Sequence, residues 1–345
     1  MHFAAEPRIR CETAYCIRDW FIYCRFHRWL RKPLCSGYHQ SMFSYRHAFH
    51  AGNHADVLKH TCLIAIQQYL NQKDTALTVL DTHSGAGLYR LDGDYAQTSG
   101  ESAQGVHKLL EFSKHTALAP ALQNYLELVL GFNASGAPSA ANLRVYPGSP
   151  FIIQRLMRGA DRLKLFEMHP TDFKALSGNV KQLDAGRQVA VFRSDGFEGI
   201  RTFLPPPARR ALLLCDPSYE IKSDYPRVVE MVTEALKRFA TGTYAVWHPI
   251  IPRMEAHDLP RKLKTLANKS QKSWLHATLT VKSSGSAAPV SSPLGEATPR
   301  PGLPASGMMV INPPHTLKAM LQEALPQMVL ALGQDRHASM SLETS

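Results

Sequence analysis

The spacing of apolar residues changes several times along the chain. Between residues 54 and 72, Val57, Leu58, Cys62, Ala65, Ile66 and Tyr69 recur at helical spacing and predict a helix. Residues 76–80 form a short apolar run that ends at Asp81, as a buried strand would. From about residue 88 to residue 146 no run of similar strand strength occurs. The Leu-rich stretches 106–112 and 119–132 predict helices, so a helical insert is expected there. Strand-like runs return at 163–167, 188–192, 211–215 and 244–247, each separated by helical patterns. Strands alternating with helices imply a mostly parallel sheet covered on both faces. Residues 275–282 and 307–311 predict the last two strands. Between them, residues 283–306 are rich in Ser, Pro, Gly and Ala and predict a long flexible loop. Residues 333–345 are polar and expected to be a loose tail.

Composition adds three constraints. With 345 residues, 44% of them hydrophobic, the chain can build one large α/β domain or two smaller ones. It holds no apolar run of about 18 residues, so no membrane span or membrane partner is expected. A net charge of +11 points to a polyanionic partner, of which nucleic acid is the commonest, although charge alone also fits a protein that is merely basic. Four of the six cysteines, Cys11, Cys16, Cys24 and Cys35, precede residue 41, leaving Cys62 and Cys215. That is no disulfide framework, and it points to a reducing cytoplasm. Residues 1–41 stand apart, with seven Arg and Lys against three Asp and Glu and aromatics interleaved from Trp20 to Trp29. They read either as a basic arm or as an extension that is disordered or not translated, with Met42 the true start; the second reading is preferred. Charges interrupt any apolar core, so a signal peptide is not expected.

In a sheet of this kind ligands bind at the carboxyl ends of the strands. The first such end is Asp81-Thr82-His83-Ser84-Gly85-Ala86-Gly87. Arg90 stands where a dinucleotide fingerprint needs its third glycine, and no Gly-Lys-Ser or Gly-Lys-Thr follows. An acid and two glycines without a phosphate cradle suit S-adenosylmethionine, although a plain tight turn would look the same. The next strand ends in Glu167, placed to bind ribose hydroxyls. The third runs into Asp195-Gly196, where the carboxylate could grip an adenine edge or cap the helix that follows.

The fourth strand leads directly into Asp216-Pro217-Ser218-Tyr219. An exocyclic adenine amine is a poor nucleophile because its lone pair is delocalised into the ring. Asp216 and the Pro217 carbonyl could both accept hydrogen bonds from it, and positioning of this kind supplies up to roughly 7–11 kcal/mol. Proline fixes its own φ, and Tyr219 could stack on an unstacked base. Asn312-Pro313-Pro314-His315 is a rival, but it follows the last strand and lacks a stacking aromatic at its fourth position, so it reads as a strand-end turn.

Asp-Pro-Pro-Tyr is the usual amino-methyltransferase form. The segment from Met42 through Tyr45-Arg46-His47 to Lys59-His60 resembles the start of the RlmJ-type bacterial 23S ribosomal RNA adenine-N6 methyltransferases. The likeness continues through Asp81 to Gly87, Tyr146 to Pro150, Asp216 to Glu220, Lys237 to Gly242 and Ala305 to Met308, and so covers most of residues 42–332. It implies a Rossmann-like S-adenosylmethionine-dependent methyltransferase domain over 42–332, with a small helical insert, at about 88–146, that moves on cofactor binding. Asp216 would be the catalytic acceptor. His60, His83, Gly85, Ser149, Glu167, Asp195 and Gly196 would line the cofactor site, with Lys59 beside it, and Tyr45, Arg46 and His47 would meet RNA. The expected partner is naked 23S ribosomal RNA, bound by a monomer. Ser218 in place of the second proline, the long 283–306 loop and the extension 1–41 depart from the family pattern.

The same chemistry on DNA, and a nucleic-acid-binding protein with impaired catalysis linked to the use of external DNA, are the competing readings. Methylation of a protein glutamine is more distant. His47, His50, His54 and His60 also cluster, and His50 with His54 has the i, i+4 spacing of metal ligands. No nearby Cys or Glu completes a usual set, and no metal is expected.

Overall fold

The computed structural model describes residues 49–92, 100–133, 142–283 and 302–345. The extension 1–41, the RNA-contact candidates Tyr45, Arg46 and His47, and most of the 283–306 loop lie outside the described residues. The elements are α1 (His54–Leu70), β1 (Thr78–Asp81), β2 (Leu88–Arg90), α2 (Val106–Ser113), α3 (Pro120–Leu130), β3 (Val145–Pro147), α4 (Ser149–Leu156), β4 (Arg162–Phe166), α5 (Pro170–Lys181) and β5 (Val189–Phe192). There follow α6 (Gly196–Gly199), β6 (Ala211–Cys215), α7 (Asp224–Arg238), β7 (Thr243–Ile250), α8 (Met254–Lys269), β8 (Trp274–Thr280), β9 (Ala305–Ile311), α9 (Leu317–Leu332) and β10 (Ser339–Thr344).

Eight strands form one sheet in the order β10-β8-β9-β7-β6-β1-β4-β5. The five from β7 to β5 are parallel. β9, β8 and β10 add an antiparallel wing. The fully buried run of β6 shows how the layers are built. Leu212 and Leu214 join the core beneath α1, α3 and α9, whereas Leu213 and Cys215 join the core beneath α7 and α8. A strand covered on both faces has no polar side to show, so it reads as a continuous apolar run. The sheet reverses its winding between β1 and β6, and the loops that leave those two strands open a crevice there.

Helix α1 starts sharply because the Asn53 side chain accepts a hydrogen bond from the Asp56 amide at 3.0 Å. The insert is not a separate lobe: Val106, Leu109, Tyr125 and Val129 belong to the same core as Leu58 and Ile66 of α1. It is also framed by a small antiparallel ribbon, β2 against β3, where no strand was expected. Strands of three residues are too short to reveal a two-residue period. The tail at 333–345 is not loose. Its residues 339–344 form β10, which pairs antiparallel with β8. The Ser341 and Thr278 hydroxyls meet at 2.7 Å, and Lys264 reaches Glu343 at 3.0 Å. An edge strand whose apolar residues are the exposed Met340 and the half-buried Leu342 carries a weak hydrophobic signature, yet it satisfies the backbone of β8. Asn312 turns the chain after β9, with φ +52° and its amide group donating to the Ala240 and Gly242 carbonyls. This is the strand-end turn expected of the rival motif.

His248 of β7 and His276 of β8 meet across β9, with their Nε2 atoms 2.9 Å apart. Burial pushes His248 down to about 3 and His276 to about 4, from an ordinary 6.5. The unfolded chain therefore binds more protons below pH 6.5, and stability falls as pH drops from there toward 4. The loss is about 1.4 kcal/mol per histidine per pH unit. Thermal unfolding followed from pH 7.5 to 5 should decline less steeply in the His248→Gln/His276→Gln variant than in the wild type. Parallel curves would show that this pair does not drive the loss.

Candidate active site

Among the described residues, the expected site residues arrive from the carboxyl ends of β1, β4, β5 and β6, from the buried helix α1 and, for Ser149, from the start of α4. Asp81 closes β1 with no exposed surface, and the Ser149 hydroxyl donates to it at 2.7 Å. Burial, with Asp216 nearby, pushes the Asp81 carboxyl up to about 7. Thr82 locks β1 to β6 through its amide and its hydroxyl, both donating to the Leu214 carbonyl. His83 packs edge-on against Phe197 at 4.8 Å, and burial lowers it to about 4. Ser149 and His60 both lie buried behind the strand ends, with His60 Nδ1 2.8 Å from the Tyr146 hydroxyl.

Glu167 curls over the turn that follows β1. Its carboxylate accepts from the Gly85 amide at 2.7 Å and the His169 amide at 2.6 Å. Burial raises its pKa and these donors oppose the rise. Gly85 has φ +59°, a left-handed conformation that glycine adopts without strain. Asp195 caps α6 by accepting from the Phe197 amide at 2.9 Å, and it is also ion-paired with Arg227, whose guanidinium lies 4.3 Å from the centre of the Phe197 ring. The backbone at Gly196 touches the loop after β1: a Cβ there would sit 2.1 Å from the Thr82 carbonyl oxygen.

Asp216 follows β6 and is held by Lys59. The ammonium lies 2.5 Å from Asp216 Oδ2 and 2.8 Å from Asp56 Oδ1, and the Lys59 side chain is only 5% exposed. Burial alone would lower the Lys59 pKa. Asp216 and Asp56 outweigh it, and the ammonium is held above its ordinary range. Pro217 is buried, Ser218 is exposed, and Tyr219 is 2% exposed with φ +54°. A left-handed aromatic residue costs about 1–3 kcal/mol of local strain. The Tyr219 hydroxyl donates to the Trp247 carbonyl at 2.7 Å, and its ring lies 4.7 Å from that of Tyr225.

In front of Asp216 opens a pocket of about 290 Å³, lined on one side by Asn53, Asp56 and Lys59 and on the other by Tyr219, Trp247 and Arg253. That is at the lower end for ligand pockets and is large enough to admit a planar base. His50 also borders it and pairs with Glu101 of the insert, while His54 Nε2 lies 2.8 Å from the Leu303 carbonyl oxygen. The two histidines suspected of ligating a metal thus contact different partners. Sequence reasoning missed Asp56, Arg227, Trp247 and Arg253. Of these only Asp56 had a local signal, its i, i+3 spacing to Lys59 on one helix.

The donor set at the strand ends suits S-adenosylmethionine. Glu167 and Asp195 present carboxylates at the ends of the adjacent strands β4 and β5, and the buried Asp81 ends β1 beside them. Fold and site together define an S-adenosylmethionine-dependent methyltransferase. Residues 74–343 match the family described as ribosomal RNA large subunit methyltransferase D, RlmJ, and the chain belongs to that family. It is 40% identical over 285 residues to ribosomal RNA large subunit methyltransferase J of Escherichia coli K12, covering 83% of this chain and 92% of that protein. It is 38% identical over 302 residues to the Haemophilus influenzae protein of the same name, covering 88% and 98%. A crystal structure of a Legionella pneumophila protein superposes with a TM-score of 0.71 at 28% identity, covering 86% of this chain and 98% of that one.

Two substitutions probe this geometry. Lys59→Met strands the buried Asp56 carboxylate and the partly buried Asp216 and should lower stability by about 3 kcal/mol, read from urea unfolding. A loss below about 1 kcal/mol would mean that the pair is already solvated. Gly196→Ala drives a methyl group into the Thr82 backbone and should weaken S-adenosylmethionine binding at least about tenfold by calorimetry. Unchanged affinity would place the cofactor elsewhere.

Proposed function

We propose that the protein methylates the exocyclic N6 of an adenine in 23S ribosomal RNA. The observation that carries this reading is the Asp216 carboxylate, fixed by Lys59 at the floor of a base-sized pocket beside the strand ends that suit the cofactor. Its RNA substrate is supported by the names of the two relatives and by the +11 charge. Such RNA lies in the cytoplasm, and the expected form is naked rather than assembled.

Bound S-adenosylmethionine supplies an electrophilic methyl group on a sulfonium. The chain's part is to make the amine nucleophilic. Lys59 occupies Oδ2 of Asp216, which leaves Oδ1 to accept one amine N–H, while the Pro217 carbonyl accepts the other. The nitrogen lone pair is thereby turned toward the methyl group. Asp216 would stabilise the positive charge that grows on nitrogen as the methyl–sulfur bond gives way to the methyl–nitrogen bond, and the surplus amine proton would then leave to solvent. Tyr219 backs the base from the pocket wall. His60, His83, Gly85, Ser149, Glu167, Asp195 and Gly196 shape the cofactor groove. Tyr45, Arg46 and His47 contact the RNA strand.

Purified protein should transfer labelled methyl to naked 23S RNA from an unmethylated source, and mass spectrometry of the digested RNA should show N6-methyladenosine. Asp216→Asn should lower kcat by roughly 100- to 1000-fold with cofactor affinity retained. A methyl group on any other atom, or equal transfer to duplex DNA, would sink the assignment.

A further inference from the structure

The loop that carries Asp216 ends on Tyr219, whose φ of +54° an aromatic residue rarely adopts. The usual tetrapeptide has a second proline at position 218, which locks that residue's own φ; here Ser218 leaves the φ of residue 218 free. The loop therefore depends on fixation from outside. Arg253 supplies it: its Nη1 donates to the Tyr219 carbonyl at 2.9 Å. Arg253 is itself anchored by its backbone. Its amide donates to the Ile251 carbonyl at 2.7 Å, and its own carbonyl accepts from the Ala256 amide at 3.1 Å as α8 begins. A second tie joins the same two loops, with Lys222 Nζ 3.3 Å from Glu255. Arg253 and Tyr219 both border the base-sized pocket.

We propose that Arg253 is a positioning residue for methyl transfer. By clamping the Tyr219 carbonyl it holds the loop so that Asp216 and the Pro217 carbonyl keep the alignment that the amine requires. A planar guanidinium, with its donors in a fixed fork, fixes a carbonyl direction better than an ammonium with freely rotating donors, so lysine can replace the charge and part of the clamp. The proposal rests on reading residues 216–219 as the catalytic loop.

The test measures kcat and KM on naked 23S RNA, cofactor affinity by calorimetry and thermal stability for Arg253→Met, Arg253→Lys and Asp216→Asn. Arg253→Met should lower kcat by about 10- to 100-fold, the scale expected of a small misalignment. KM for RNA and cofactor affinity should stay within about threefold, since the clamp acts through the loop rather than on either ligand. Arg253→Lys should recover part of the loss in kcat. A raised KM at unchanged kcat, with a weaker salt dependence, would make Arg253 a phosphate contact and overturn the clamp. So would wild-type kcat in Arg253→Met, or a loss in both arginine variants that tracks a fall in melting temperature. If Asp216→Asn remains active, the reading of the loop itself fails; if it is dead while Arg253→Met is fully active, only the clamp fails.

Discussion

The arrangement of the site depends on one buried ammonium. Lys59 projects from a helix whose residues are buried throughout its first four turns, and a cation in such a place must be neutralised locally. Asp56, one turn earlier on the same helix, and Asp216, at the end of β6, do so together. An ion pair of this kind adds little stability over apolar residues of the same shape, because desolvation offsets most of the attraction. Its effect is on position. It fixes the start of α1 against the carboxyl end of β6, and it leaves a cluster of one positive and two negative groups beside the strand ends that suit a cationic cofactor.

Around that pair, the sheet reversal between β1 and β6 decides where everything else lies. Thr82 binds the two strands at their ends, so the turn at Gly85 and the loop at Asp216 diverge from a common point. The Gly196 backbone closes against Thr82, bringing the end of β5 within reach of the same groove. The two sides of the candidate site therefore share a single edge, formed by β1 and β6, whose side chains are buried on both faces.

Much of this was legible from the chain alone, for a physical reason. A parallel strand covered on both faces is a continuous apolar run, and the residue that ends it is where a ligand can be met. The runs ending at Asp81, Glu167 and Asp216 could therefore be read in order. Asp216 to Tyr219 could be read because its chemistry needs neighbours in sequence. What escaped was whatever sequence distance hides. Arg227 lies 32 residues from Asp195 and Arg253 lies 34 from Tyr219, and no spacing rule joins them. β10 escaped because it is held mainly by backbone pairing with β8, with Leu342 as its apolar contact to the core.

The burial of Tyr219 changes what its ring can contribute. A freely exposed aromatic would attract any base, and its contribution would be affinity. This ring is held by its hydroxyl on the Trp247 carbonyl and by Tyr225, so it is already part of a wall when a base arrives. A fixed wall loses little side-chain entropy on binding. Trp247 and Arg253 line the same pocket, so the surface that meets a flat ligand is set by β7 and the loop after it before anything binds.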